Sequence, residues 1–190
     1  MEVTPIRIKI IAAVLATAGA SFIAVRATAA AFSDQTGSTG NQFQAGTVAL
    51  SDDDSGSALF DGAGLLAPGD VEVGCIEVTY SGSLDAEIRL YGAVTGGTGL
   101  EAYLDVTVER GTGDCSSFGT ATEVWGAADG DLGAFLAAAT AYTNGVDSWT
   151  PTGGGGDDTV PYRFTITQQD DNAAQGLSSV VGFTWEAQNN

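Results

Sequence analysis

Residues 103–109 read YLDVTVE and residues 162–167 read YRFTIT. In the first, Leu104, Val106 and Val108 fall in one phase, with Asp105 and Thr107 in the other. In the second, Tyr162, Phe164 and Ile166 alternate with Arg163, Thr165 and Thr167. A period of two sends successive side chains to opposite faces of a strand, so each run reads as a strand with one buried and one wet face. The same pattern recurs at Ala86–Leu90 and at Val181, Phe183 and Trp185. Glycine-rich turns separate these runs. Short strands in series, without helices between them, exclude a parallel α/β fold. They predict an all-β protein: an antiparallel, jelly-roll-like β-sandwich with one short accessory helix.

The helix is expected in residues 129–144, DGDLGAFLAAATAYTN. Leu132, Phe135, Leu136 and Ala139 have helical spacing, Asp129 or Asp131 can cap the start, and Asn144-Gly145 can end it. This predicts about three turns. A second helical turn is expected near Gln175–Ser178. In the run VEVGCIEVTY at 71–80, Val71, Val73 and Cys75 share one phase, and Ile76, Val78 and Tyr80 share the other. That slip predicts a β-bulge at Gly74-Cys75. Residues 153–158, GGGGDD, lack the Lys and Ser/Thr of a phosphate-binding loop and read as a plain loop.

The first thirty residues stand apart. Arg7 and Lys9 precede a 16-residue, mostly apolar run from Ile10 to Val25, and Ala27-Thr28-Ala29 supplies small residues for cleavage. This is the layout of a secretory signal peptide, and the run is short of the ~20 residues of a permanent span. The predicted organisation is a signal peptide at 1–30, a flexible N-terminal segment at 31–42 and a β-sandwich domain at 43–190. The mature protein is then secreted, extracellular or associated with the cell surface, with no stable membrane insertion after cleavage.

The chain has 6 basic and 24 acidic residues and no histidine. Arg7, Lys9, Arg26 and Glu2 lie in the leader, which leaves Arg89, Arg110 and Arg163 against 23 acidic residues, a net of −20. Such a surface repels phosphates and argues against nucleic acid as a partner. Without histidine there is no Ser-His-Asp triad, no Cys-His pair and no H-E-x-x-H zinc site, so the chain reads as a non-enzyme with no catalytic residue and no cofactor. Acidic turns at Asp52–Asp54, Asp129/Asp131, Asp157/Asp158 and Asp170/Asp171 leave calcium as a candidate cation. None has EF-hand spacing, and aspartate also suits turns for its own backbone hydrogen bonds. The two cysteines, Cys75 and Cys115, are too few for a zinc site and have no histidine to activate them. Outside the cytoplasm they are expected to form one disulfide. Trp125, Trp149 and Trp185 read as core residues, with a sugar platform as the alternative.

Four blocks carry a resemblance. They are AAFSD at 30–34 after the leader, GNQFQAGTVALSDDD at 40–54, LAPGDVEVGCIEVTYSGSLDAEIRLYG at 66–92 and YRFTITQQDDNAAQGLSSVVGFTWEAQN at 162–189. Together they resemble the TasA/camelysin family of secreted proteins, over nearly the whole chain. The resemblance implies a jelly-roll sandwich in the extracellular matrix or at the cell surface. It also implies self-association into biofilm fibres, or association with other matrix proteins, by N-terminal donor-strand exchange. Ala31, Phe32, Ser33 and Asp34 would then begin the donor segment, completing an open sheet edge of the next subunit. The two cysteines and the absence of lysine beyond the leader depart from the family pattern. The alternatives are a sandwich that binds surface polysaccharide or a partner protein, and a camelysin-like metallopeptidase.

Overall fold

Residues 44–55, 57–60 and 65–189 are described by a computed structural model. The predicted leader and the residues Ala31, Phe32, Ser33 and Asp34 lie outside them. Eight strands follow in chain order among the described residues: β1 (Leu50–Asp52), β2 (Val71–Tyr80), β3 (Ala86–Gly97), β4 (Leu104–Arg110), β5 (Thr122–Trp125), β6 (Val146–Trp149), β7 (Asp158–Gln168) and β8 (Ser179–Asn189). One α-helix, α1 (Leu132–Ala138), lies between β5 and β6. The strands form two antiparallel sheets, ordered β1-β2-β7-β4-β5 and β6-β3-β8. The protein is an all-β sandwich.

The topology is a jelly roll with one rung displaced. An eight-stranded jelly roll is a long antiparallel hairpin rolled up, with rungs 1·8, 2·7, 3·6 and 4·5. Rungs β2·β7, β3·β6 and β4·β5 are all present. The fourth is not: β1 pairs with β2, Leu50 opposite Tyr80 and Asp52 opposite Val78. β8 pairs with β3, from Ala86 opposite Asn189 to Gly97 opposite Ser179.

The alternating residues build the core. Ile76, Val78 and Tyr80 from β2, Leu104, Val106 and Val108 from β4, and Tyr162, Phe164 and Ile166 from β7 face inward and are buried. Ala86, Ile88 and Leu90 from β3 meet them from the other sheet. Aromatic rings link the layers: Phe164 lies 4.5 Å from Phe183, and Tyr162 lies 5.3 Å from Trp185. Trp125 and Trp149 are buried, and the Trp125 indole donates to the Gly130 carbonyl. These two tryptophans serve the core, not a sugar platform.

Three local expectations are corrected. β2 and β7 pair through ten consecutive residues, Val71–Tyr80, without a register shift, so there is no bulge at Gly74-Cys75. Val71 and Val73 are apolar yet point outward with Cys75, 54% and 58% exposed. The helix is two turns rather than three. Asp131 caps it, accepting from Ala134 N at 2.7 Å, but Ala139 leaves the helical conformation. Asn144 instead accepts from Thr140 N and Ala141 N and holds a separate 3-10 turn, Tyr142–Asn144. The later turn forms at Asn172–Ala174, three residues before its predicted place, because the Asp171 side chain accepts from Ala173 N.

Candidate functional site

The disulfide joins Cys75 of β2 to Cys115 in the β4–β5 connection, with Cα atoms 5.8 Å apart. The Cys115 N–H also donates to Glu77 on the same outward face of β2. The bridge thus lies outside the sandwich, away from the core.

The opposite side of the fold holds an open strand edge. Among the described residues, β8 has a neighbour on one side only, which is β3. Its free edge would be the place of the missing rung. An edge strand of this kind presents a row of unpaired backbone N–H and C=O groups. Its inward side chains reflect the missing neighbour. Val181, Phe183 and Trp185 are only half-buried, whereas their counterparts Tyr162 and Phe164 on β7 are fully buried.

A groove follows this edge between the two sheets. One part, about 710 Å³, is lined by Leu50, Ile76 and Val78 on one side and Val181, Phe183 and Trp185 on the other. A second part, about 770 Å³, is lined by Leu66, Leu100, Leu104, Leu132, Ile166 and Leu177. The two meet at Phe60, Ser179, Val181 and Phe183, which line both. From Ser179 to Trp185 the strand covers roughly 20 Å at ~3.3 Å per residue. Two polar atoms along it, Ser179 Oγ and Trp185 Nε1, are buried without a hydrogen-bond partner among the described residues. Buried polar atoms are usually paired, so such orphans call for an explanation.

The groove is lined mainly by apolar side chains. Its carboxylates are Asp52 and Asp54 at one end and Glu72 and Asp171 at the other. A hydrogen bond from the protonated Asp52 carboxyl to Asp54, helped by partial desolvation, holds Asp52 above the usual carboxylate range. Among the described residues, no three His, Cys, Asp or Glu side chains converge to hold a metal. Several of the acidic-turn carboxylates are engaged by backbone N–H groups: Asp52 accepts from Ser55 N, Asp53 from Glu77 N and Asp129 from Gly126 N. The cations among the described residues are also occupied. Arg89 pairs with Glu87, Arg110 with Asp147 and Arg163 with Glu109, each at 2.7 Å.

Sequence reading found the alternation of Val181, Phe183 and Trp185, but not that their strand lacks a neighbour. No protein-family model matches this chain, and no curated protein matches it.

Proposed function

We propose that this protein is a secreted structural subunit of an extracellular matrix or cell surface, joined to further copies by donor-strand exchange, and not an enzyme. The resemblance to the TasA/camelysin family supports this reading. The observation that carries it is the open edge of β8 above an apolar groove, where a jelly roll would place its remaining rung. β-Augmentation supplies what the site lacks: backbone partners along the edge and side chains for the groove.

The direction of the strands favours a donor from another copy. Gly46 lies against Leu84, and β3 begins nearby at Ala86, opposite Asn189 at the end of β8. A segment tethered at Gln44 and folded back along its own β8 would run from the Ser179 end toward Asn189, parallel to β8. The antiparallel rung of a jelly roll needs a segment that comes from elsewhere. Residues 31–40 of a second copy, starting Ala31-Phe32-Ser33-Asp34, are the proposed donor.

The test compares the chain beginning at Ala31 with one beginning at Asn41, both freshly released from a blocking tag and imaged by negative-stain electron microscopy over days. Filaments from the longer chain alone are expected. Monomers from both would leave a secreted sandwich that binds polysaccharide or a partner protein.

A further inference from the structure

The groove along β8 is already partly filled by the chain that follows β1. Leu59 and Phe60 are half-buried and pack against the core. Leu59 lies on the inward face of β2 at Gly74. A Cβ at Gly74 would come 2.6 Å from Leu59 Cγ and 3.2 Å from its carbonyl oxygen. Both the side chain and the backbone of Leu59 therefore sit between the sheets, on the side where the three-stranded sheet stops short. Gly74 is the receptacle for Leu59, since any side chain there would collide with it. Phe60 lines both parts of the groove.

These residues occupy the groove without completing the sheet. Residues 58–60 make no backbone hydrogen bond to β8 among the described residues; the nearest turn bond is Ser57 N to the Asp54 carbonyl. The orphan atoms Ser179 Oγ and Trp185 Nε1 remain unpaired beside them. Among the described residues, apolar contact with the core is what holds Leu59 and Phe60. An incoming strand adds a ladder of hydrogen bonds along the same edge and needs the same space.

We propose that Leu59 and Phe60 form an intramolecular plug that occupies the β8 groove in the free subunit and must leave before a strand from a second copy can enter. This rests on the strand-acceptor reading above and adds a control to it. Assembly is slowed by the small fraction of time the groove stands open, because apparent affinity scales with the binding-competent population. Gly74 sets that fraction by giving Leu59 its seat.

The test follows filament growth by light scattering and electron microscopy for the chain from Ala31, unchanged and with Leu59→Ala/Phe60→Ala. Thermal melts check that the variant is folded, and Leu59→Ala alone replaces the double variant if it is not. The plug predicts a lag shortened by roughly fivefold or more in the variant. Equal lags, or slower growth by a folded variant, would overturn the plug while leaving strand capture standing. Slower growth would place the two side chains in the finished interface. If neither chain forms filaments, the acceptor reading fails and the plug fails with it.

Discussion

Asp147 ties the two sheets together through side chains. It lies on β6 with φ 64°, a left-handed conformation that aspartate tolerates better than most residues. Its carboxylate accepts from Arg110 on β4 and from the Tyr162 hydroxyl on β7, each at 2.7 Å. Burial, then the nearby Asp147 charge, pushes the Tyr162 hydroxyl far above its ordinary value. Unfolded, the same tyrosine ionises near the ordinary 10.0. The bond therefore contributes fully below pH 10, and its contribution is lost as pH climbs from there toward the raised folded value. Tyr162→Phe is expected to lose about 1.5–3 kcal/mol at neutral pH in urea unfolding, the usual range for a hydrogen bond to a charged group. It should also weaken the alkaline decline in stability. Gly74 is a case where residue-level reading fails. Its neighbours Val71 and Val73 are apolar and look like core, so the strand seemed to change phase. Only the fold reveals that they face outward and that a distant leucine covers the glycine.

At the scale of elements, the strands were legible because alternation is a local property. β4, β7 and β8 carry it in consecutive residues, and each forms where expected. Pairing is not local. Ala86 meets Asn189, and nothing in either segment states which edge of β8 stays free. The helix was legible at its start, through Asp131, but not at its end, where Asn144 caps a different turn. The disulfide was legible from the cysteine count. It closes a loop of sequence separation 40. Chain-entropy reasoning gives such a loop roughly 4 kcal/mol. Cys75→Ala/Cys115→Ala should lower stability by about 2–4 kcal/mol in urea unfolding. The bridge lies on the outward face of β2, opposite the groove, so the same variant should still form filaments if strand capture joins the subunits. Loss of filaments from a folded double variant would count against the groove as the joining site.

For the whole molecule, charge opposes assembly. Copies carrying a net of −20 over residues 31–190 must approach closely, and among the described residues each arginine is already paired. Salt shortens the range of that repulsion, from a Debye length of about 10 Å at 0.1 M to about 3 Å at 1 M. Filament growth should accelerate with sodium chloride over this range, followed by light scattering. Calcium matched for ionic strength should do no more, since among the described residues no three His, Cys, Asp or Glu side chains converge on one point. A calcium effect well beyond that of matched salt would mean that the acidic turns reorganise around the ion.

The most direct measurement is amide hydrogen exchange along β8, residue by residue, in monomers and in filaments dissolved after labelling. The amides of Val181, Phe183, Trp185 and Ala187 point away from β3, because their partners in register include Gly92, whose N–H turns the other way to the Ala139 carbonyl. Strand capture predicts that these amides exchange far more slowly in filaments, by about 100-fold or more, as ladder hydrogen bonds form. Filaments whose β8 edge amides exchange as fast as in the monomer would contradict it, and the joint between subunits would lie elsewhere.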